Sequence, residues 1–463
     1  MRQSKNDRTY KTMDVSNTRE LYEGLPFPQR NPAEEALRLI ATPPDHLGKI
    51  NHHCFSAREQ FADNFRILIA GGGTGDAAIY LAEQLSQRGS GRVTYIDQSM
   101  ASMAVAQKRA EARGIRNIDW HHGSLLNLNT ANFGQFDYIN CVGVIHHMDK
   151  PIDGLRAIAS VLKDSGSLCL MLYGRYGRQD ITDARDLFKT YLSVAESNSL
   201  LPHANKILAS LPPRNSYMRG RDRQYVLEQL SSDLPNLADI FLNPVEFTYS
   251  AQQFAELVED EAGLTINRFT SYDGNPAVTS LQYNPDLMIS DHAVRSNLSK
   301  LNVRERWKFA EIIDGSMHLH CAYISRSKIQ TADFKNNELI PYSMSVQHKQ
   351  LLGILCKQEN RRLDLRLSNG ANFPLSISPV TQVFLERIDN ERMLQEIFTD
   401  MQLTFDQAPI LLRDLNLLAE LEWICLRAKE VKPFLSIDDG RNMGAIYEET
   451  GVINYDHPVI HKI

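Results

Sequence analysis

Short apolar runs alternate with longer amphipathic stretches between residues 65 and 174. The apolar runs are FRILIA (65–70), VTYID (93–97), FDYINCVGV (136–144) and SLCLMLY (167–173). Their length and composition are typical of buried strands. The stretches between them place apolar residues at helix spacing, as Ala78, Leu81 and Leu85 do after the first run. Strands that alternate with helices of this length predict an α/β fold whose parallel sheet is covered on both faces.

The alternation stops after Tyr173, and the rest of the chain is organised differently. A largely helical stretch comes first, and two late runs, LTINRF (264–269) and MHLHCAYIS (317–325), are interpreted as strands that close the first sheet. After a polar linker, strand-like pieces and a helical stripe from Leu411 to Cys425 indicate a separate small α/β domain. The predicted regions are an N-terminal segment (1–64), a sheet core (65–174), a helical insertion (175–262), closing strands (263–326) and a C-terminal domain (341–463).

Composition and charge narrow the class of protein. The 463 residues include 50 Lys and Arg against 56 Asp and Glu, a net charge of −6, which disfavours a nucleic-acid binder because such proteins need a basic face. The chain starts without the apolar run of a signal peptide and lacks any window of about eighteen apolar residues, so membrane insertion is not expected. The six cysteines form no CxxC pair, and Cys141 and Cys169 lie in strand-like runs. Buried, reduced thiols in a cytoplasmic protein are therefore expected.

A glycine cluster follows the first predicted strand and precedes a predicted helix. In GGGTGD (Gly71 to Asp76), glycines without a Cβ allow a ligand to approach backbone N–H groups at the positive end of the helix. The second strand ends in Asp97, whose carboxylate can accept hydrogen bonds from both ribose hydroxyls of an adenosine group. This spacing favours a nucleotide cofactor over a plain glycine turn with an N-cap Asp. Since GTGDAA (73–78) also satisfies the dinucleotide pattern, the motif alone leaves NAD open.

Three stretches resemble the class I methyltransferases that use S-adenosylmethionine (SAM). The resemblance is carried by GGGTG (71–75), by VTYIDQSMASMAVAQKRAEARG (93–114) and by FDYINCVGVIHHMDKPIDGLRAIASVLKDSGSLCLMLY (136–173), which are similar to the family's glycine motif, second strand and helix, and fourth and fifth strands. It implies a Rossmann-like seven-stranded sheet, SAM as the cofactor and an N-terminal segment that covers it. The residues that it assigns to the cofactor are Gly71, Gly72, Gly73, Thr74, Gly75, Asp76, Asp97, Gln98, Ser124, Leu125, Val142 and His146.

Two positions depart from the pattern of this family. Ile69 stands where the family often has an acidic residue, and Ser124 stands where many members use Asp to hold the adenine amine. The Ser124 hydroxyl and the backbone N–H of Leu125 can still form hydrogen bonds there. Asp76 is expected near the methionine amino group. These departures concern individual contacts rather than the choice of cofactor.

The candidate acceptor residues follow the fourth and fifth strands. His146 and His147 are placed to act as a base at the cofactor mouth, although such a pair also opens the helix in this family without a chemical role. Tyr173 and Tyr176 lie at the carboxyl edge of the sheet, where they would orient an acceptor; a glycine-shaped turn is the alternative. The predicted catalytic residues are therefore His146, Tyr173 and Tyr176. Together with Tyr22, the two tyrosines could form a mouth that lowers the pKa of an acceptor amine.

The sequence indicates the methyl acceptor less clearly than it indicates the cofactor. No Asn/Asp-Pro-Pro-Tyr motif follows the fourth strand, which disfavours methylation of adenine N6 or glutamine amides and leaves amines, hydroxyls, carboxylates and carbons. LYEGLPFPQRNP (21–32) and FLERIDNERMLQEIF (384–398) resemble the N-terminal part and the winged-helix-like C-terminal part of bacterial protein-lysine methyltransferases that act on outer-membrane proteins. Uncharacterised bacterial methyltransferases are similar as well. The oligomeric state is open, with a homodimer among the options.

The leading prediction is methyl transfer from SAM to a nucleophilic side chain of a protein, with lysine as the suggested acceptor. Two alternatives keep SAM: a methyltransferase acting on a small molecule beneath the insertion, and a catalytically silent SAM-binding regulatory protein. An NAD-dependent enzyme comes last, because hydride-transfer residues cannot be identified in the sequence.

Two further groups of residues carry weaker signals. Asn51, His52 and His53 precede the first strand, and they either fold over the cofactor or form a surface loop. His318, His320 and Cys321 suggest a metal at first sight, since alternate residues of a strand share one face. A metal is disfavoured, because no third ligand stands at a known spacing.

Overall fold

The computed structural model describes residues 17–195, 200–219, 233–272, 280–344, 346–358, 360–366 and 372–434. The ends of the predicted terminal regions, 1–16 and 435–463, lie outside these ranges, as do residues 196–199 and 220–232 of the predicted insertion. Within the described ranges, a large sheet with helices on both faces is followed by a smaller C-terminal group of helices and strands.

In the described part of the chain, the central sheet has eight strands. They are β1 (Arg66–Ala70), β2 (Arg92–Asp97), β3 (Ile118–His122), β4 (Phe136–Val142), β5 (Leu162–Gly174), β6 (Thr248–Tyr249), β7 (Thr265–Phe269) and β8 (Leu319–Ser325). Their order is β3–β2–β1–β4–β5–β8–β7, with the two-residue β6 beside β5. Strands β1 to β5 are parallel, whereas β8 is antiparallel to both β5 and β7. The seven longer strands confirm the predicted sheet, and β7 and β8 confirm the two late runs as its closing strands.

The helices of this part of the chain include the predicted alternation with strands from β1 to β5. Up to β8 they are α1 (Thr18–Gly24), α2 (Leu47–Cys54), α3 (Asp76–Ser86), α4 (Met100–Arg113), α5 (Thr130–Phe133), α6 (Pro151–Ser160), α7 (Gln179–Leu192), α8 (Leu200–Ser210), α9 (Leu234–Leu242), α10 (Ala251–Ala255), α11 (His292–Leu298) and α12 (Val303–Asp314). Ile67 and Ile69 of β1 pack into the apolar cluster on one face, with α2, α3 and α4. Leu68 packs into the cluster on the other face, with α6 and α10. The apolar runs are unbroken because both faces of the central strands are buried.

The predicted insertion returns to the sheet through β6. The last two residues of β5 pair with β6 just beyond the point where β4 ends. The backbone N–H of Phe247 donates to the carbonyl of His146 at 2.9 Å, and that of Arg175 donates to the carbonyl of Tyr249 at 2.8 Å. The insertion therefore packs against the carboxyl ends of β4 and β5, where the predicted acceptor residues lie.

The C-terminal region has its own apolar cluster, which includes Leu355, Phe384 and Trp423. Its elements are β9 (Ile340–Tyr342), α13 (Val346–Lys357), β10 (Arg362–Arg366), β11 (Asn372–Ser376), α14 (Pro379–Leu385), α15 (Leu394–Asp400), α16 (Pro409–Glu420) and β12 (Cys425–Arg427). Strands β10 and β11 form an antiparallel hairpin, and β9 pairs with β12. The resemblance to a winged helix stays a prediction.

The predicted helical stripe from Leu411 to Cys425 is too long. Helix α16 ends at Glu420, and Glu422 adopts a φ of +62°, a left-handed conformation in which a right-handed helix cannot continue. Cys425 instead begins β12. The sequence prediction is wrong here because a short buried strand continued the apolar spacing of the helix by coincidence.

Residues 51–53 lie on α2, and the prediction of a surface loop is wrong for them. They are 0–1% exposed, which excludes a surface loop, and their place over the cofactor stays a prediction. Nδ1 of His52 accepts a hydrogen bond from the backbone N–H of Leu426 at 3.0 Å, and the nearby Lys49 forms a buried ion pair with Glu422 at 2.5 Å. Helix α2 therefore connects the central sheet to the C-terminal region.

The thiols agree with the sequence analysis. All six cysteines are free, and all except the half-buried Cys356 are buried. Among the residues that the structure describes, no helix has both the length and the apolar character needed to cross a membrane. The same residues include no group of three His, Cys, Asp or Glu side chains able to hold a metal ion.

Candidate active site

The turn between β1 and α3 has a backbone that glycine adopts most readily. Gly71, Gly73 and Gly75 have φ angles of +83°, +52° and +100°, in the left-handed region where a Cβ is penalised. A Cβ on Gly71 would also lie 2.6 Å from Cγ2 of Val144, in the loop after β4. The turn is therefore in close contact with the segment that follows β4, at the carboxyl edge of the sheet.

Asp97 lies at the end of β2, beside this turn. Its carboxylate accepts hydrogen bonds from the backbone N–H groups of Gly73 and Ser99, both at 2.8 Å. Burial raises the pKa of Asp97, and these backbone hydrogen bonds oppose the effect. A carboxylate offers about four lone-pair positions, so Asp97 can still accept hydrogen bonds from a ligand.

Asp76, the first residue of α3, is part of a partly buried ion-pair cluster. Nη2 of Arg30 lies 2.6 Å from one carboxylate oxygen, and Nη1 of Arg109 lies 2.6 Å from the other. Burial alone would raise the pKa of Asp76, but the two guanidinium groups outweigh it and lower the pKa to about 2. The predicted contact of Asp76 with a methionine amino group stays a prediction, since both carboxylate oxygens already form ion pairs with arginines.

Residues 17–30, named here the N-terminal strap, cross the glycine turn. The backbone N–H of Thr74 donates to the carbonyl of Phe27 at 3.3 Å, and the Thr74 hydroxyl donates to the carbonyl of Pro28 at 2.8 Å. The hydroxyl of Ser99 donates to the carbonyl of Tyr22 at 3.1 Å. The strap is therefore bound both to the turn and to the start of α4.

The remaining predicted cofactor residues lie after strands or within the turn. A Cβ on Gly72 would overlap the ring of Tyr95, so this glycine serves the packing of β2 against the turn. Gln98, which follows β2, is exposed. The Ser124 hydroxyl accepts from the N–H of Leu126 at 3.3 Å after β3, and Leu125 is buried beside it. Val142 ends β4. Strands β2, β3 and β4 are parallel, so Gln98, Ser124, Leu125 and Val142, at or after their ends, lie along one edge of the sheet.

His146 lies in a single 3₁₀ turn after β4 and is fully buried. Neither ring nitrogen has a hydrogen-bond partner among the described residues. Nδ1 of His147, by contrast, donates to the carbonyl of Val245 at 2.7 Å. Burial and the neighbouring His147 hold the pKa of His146 well below its ordinary value, so its ring is neutral near pH 7. A buried polar ring with two unused nitrogens is suited to contact a ligand.

Tyr173 brings β5 into the same cluster. The centroid of the Tyr173 ring lies 4.1 Å from that of His146, and the guanidinium of Arg178 lies 3.6 Å from the centroid of the Tyr173 ring. Tyr176 lies in the turn after β5 and is 38% exposed. The structure thus brings His146 and Tyr173 together and places Tyr176 at the surface of the turn that follows.

Asp239 of α9 also belongs to this cluster, and sequence reasoning did not find it. It is 4% exposed and accepts hydrogen bonds from the hydroxyls of Tyr22 at 2.6 Å and Tyr173 at 3.4 Å. Nδ2 of Asn243 donates to the Tyr22 hydroxyl at 3.1 Å. Asp239 matches no motif, and its partner Tyr22 is 217 positions away, so local spacing could not indicate it.

Comparison with known proteins supports the cofactor side of the site. Residues 68–168 match a family model described as a methyltransferase domain. An uncharacterized protein of Synechococcus sp. is 28% identical over 292 residues, covering 62% of this chain and 66% of that protein. The ubiquinone biosynthesis O-methyltransferase of Albidiferax ferrireducens is 30% identical over 123 residues, covering 27% of this chain and 44% of that enzyme. The matches therefore span less than two thirds of the length of these curated relatives.

A solved structure is similar over a larger part of the chain. The structure of PKMT2 from Rickettsia typhi has a TM-score of 0.54 and 16% identity, and covers 84% of this chain and 75% of that chain. PKMT2 in complex with AdoHcy gives a TM-score of 0.53 over 83% of this chain. At this level of identity the likeness concerns the fold. It extends beyond residues 68–168 into the regions that follow the sheet core.

Proposed function

We propose that this chain, which carries a class I methyltransferase domain that uses S-adenosylmethionine, transfers a methyl group to a nucleophilic side chain of a protein. When bound, SAM supplies a sulfonium methyl group that is open to in-line attack. The residues of the chain then have three tasks: to hold the cofactor, to exclude water and to orient the acceptor.

The cofactor half of the site fits the adenosine part of SAM. Asp97 follows β2 and keeps free lone pairs for the ribose hydroxyls. Glycines with positive φ shape the turn between β1 and α3, at the positive end of that helix. The strap crosses this turn through Phe27 and Pro28. In this proposal the strap covers the bound cofactor and excludes water from it.

One observation supports the acceptor half of the site. His146 is buried against the ring of Tyr173, and neither of its ring nitrogens has a hydrogen-bond partner among the described residues. A neutral imidazole at the mouth can accept a proton from the acceptor or orient it. In this proposal His146 and Tyr173 contact the acceptor where it meets the methyl group. Tyr176, which is more exposed, contacts it farther out, at the rim.

Two lines support a protein acceptor, with lysine as the proposed side chain. The fold of PKMT2 from Rickettsia typhi matches 84% of the chain, and the sequence resembles protein-lysine methyltransferases at residues 21–32 and 384–398. Neutralising a lysine amine of pKa about 10.4 at pH 7 costs about 4.6 kcal/mol, which burial in the acceptor half would reduce. The ubiquinone biosynthesis O-methyltransferase relatives favour a second candidate, a small-molecule acceptor.

Transfer of a radiolabelled methyl group from SAM into fractionated lysate tests this function. We expect the purified full chain to label the protein fraction and to form S-adenosylhomocysteine. Label confined to small metabolites would contradict the protein acceptor and favour the second candidate. Retention of SAM without any S-adenosylhomocysteine would identify a silent SAM-binding protein and overturn both.

A further inference from the structure

A buried carboxylate in the acceptor half of the site is surrounded by residues from three segments that are distant in the sequence. Asp239 comes from α9 of the insertion, Tyr173 from the end of β5, and Tyr22 from the N-terminal strap. Each tyrosine hydroxyl donates to a different oxygen of Asp239, at 2.6 Å from Tyr22 and 3.4 Å from Tyr173. Because a carboxylate offers about four lone-pair positions, about two of them remain for a further donor.

The charge of Asp239 is not balanced by a direct ion pair among the described residues. Two arginines close to the cluster, Arg178 and Arg185, are paired with Glu246 at 3.1 and 3.4 Å. Arg185 also donates to the backbone carbonyl of Ile240 at 2.8 Å. A buried carboxylate normally has a cationic partner, because desolvation of a lone charge is costly. Tyrosine hydroxyls reduce that cost only in part.

Two residues beside this carboxylate, His146 and Arg178, carry buried polar atoms without a hydrogen-bond partner in the described part of the chain. They are the two ring nitrogens of His146 and Nε of Arg178. The ring of Tyr173 connects them, since it touches His146, Arg178 and Asp239. Buried polar groups that lack partners mark a place where a polar ligand completes the hydrogen bonding.

We propose that Asp239 is the acceptor-binding carboxylate, which holds the ammonium form of the acceptor before that amine loses a proton for methyl transfer, and that Tyr22 of the strap is the residue that positions Asp239. This inference rests on the proposed methyltransferase function and adds a residue that selects the acceptor. The strap then has two roles, because the segment that crosses the glycine turn also completes the acceptor site through Tyr22. An ionised phenolate or carboxylate acceptor would be repelled by Asp239, whereas an ammonium group would be attracted to it.

Binding of a small amine probe to the full chain tests the assignment without knowledge of the acceptor. The probe is N-acetyl-lysine methylamide, and its control is N-acetyl-norleucine methylamide, which has a similar shape without the ammonium group. Both are titrated by NMR into protein saturated with S-adenosylhomocysteine. We expect the lysine probe to bind saturably and more tightly than the norleucine compound.

Two variants and one matched control complete the test. Asp239→Asn should weaken lysine-probe binding by about 30-fold or more, and Tyr22→Phe by about 5-fold, with norleucine binding unchanged in both. Asp186→Asn removes an exposed carboxylate from the neighbouring α7 and should bind the probe as the wild type does. Affinity for S-adenosylhomocysteine should stay at the wild-type value in all three, which shows that each variant is folded.

Several results would overturn the assignment. These are equal binding of the lysine and norleucine compounds, no binding of either, or full lysine binding by Asp239→Asn with its cofactor affinity intact. The proposed function fails separately, in the transfer assay. Label found only in metabolites, together with Asp239-dependent lysine binding, would remove the protein acceptor and leave the amine site in place.

Discussion

The two halves of the site differ in how they are built from the chain. The cofactor half combines consecutive strand–helix turns, so that Gly73 and Asp97, which form a hydrogen bond, are 24 positions apart. The acceptor half gathers Tyr22, Tyr173 and Asp239 from three regions, and one of its hydrogen bonds spans 217 positions. A local design leaves a motif in the sequence. A site assembled by tertiary packing leaves no motif, because its residues are isolated in the sequence and cannot be told apart from other residues of the same type.

The strap is the physical link between the halves. Its carbonyls at Phe27 and Pro28 accept hydrogen bonds from Thr74 in the glycine turn, whereas its Tyr22 side chain donates to Asp239 in the insertion. If the two halves are independent apart from this link, substitutions in one half should leave binding to the other intact. Four predictions test one of the halves or the link between them.

The largest effect is expected from Gly71→Ala. The positive φ and a Cβ at 2.6 Å from Val144 should together lower the free energy of unfolding by about 2–4 kcal/mol, measured by urea denaturation. The double variant with Val144→Ala should recover part of the loss. Gly123→Ala is the control, since a Cβ there would have no other atom within 4 Å, and it should change stability by less than about 0.5 kcal/mol. Equal losses at both glycines would contradict this account of the turn.

Asp97→Ala should weaken SAM binding by about 10- to 150-fold, or about 1.5–3 kcal/mol, because it removes hydrogen bonds between a charged group and the ribose. Calorimetry on the purified variant measures it. Asp119→Asn, which removes an exposed carboxylate on β3, should keep the wild-type affinity. Asp239→Asn should also keep it, because Asp239 belongs to the acceptor half. Unchanged affinity in Asp97→Ala would mean that another residue holds the ribose.

His147→Asn should reduce the pH dependence of stability. Burial, partly opposed by the hydrogen bond to Val245, lowers the pKa of His147 to about 4 in the folded chain. Between pH 6.5 and 4 the unfolded chain takes up a proton there that the folded chain does not, so stability falls as the pH falls. The variant should lose about 1.4 kcal/mol less per pH unit in this window. Parallel urea-midpoint curves for variant and wild type would show that His147 titrates normally.

The smallest effect is expected at the contact of the strap with the turn. Thr74→Val removes the hydroxyl that donates to Pro28 and should cost about 0.5–1.5 kcal/mol. Amide hydrogen exchange at residue 74, whose N–H donates to Phe27, should become faster as the strap detaches. Thr190→Val on α7 is the control, because its exposed hydroxyl bonds only within its own helix. Unchanged exchange at residue 74 would show that the strap is held by its other contacts.

Sequence reasoning reached the sheet, the glycine turn and the position of Asp97 at the end of β2, because each leaves a local signature of apolar runs, clustered glycines or fixed spacing. It was wrong at Cys425, where the left-handed Glu422 ends a helix within an unbroken apolar pattern. It was wrong at residues 51–53 as well, since polar residues there are buried against the C-terminal region. Asp239 escaped notice for the same reason: only the folded chain shows which distant groups surround a polar residue.

The most direct test of the central claim is calorimetric titration of SAM, S-adenosylhomocysteine and NAD, each into the purified full chain. The account predicts saturable binding of SAM and S-adenosylhomocysteine, and no binding of NAD. Binding of NAD in place of the other two would contradict the assignment of the glycine turn and Asp97. It would also remove the basis for an acceptor site at Asp239.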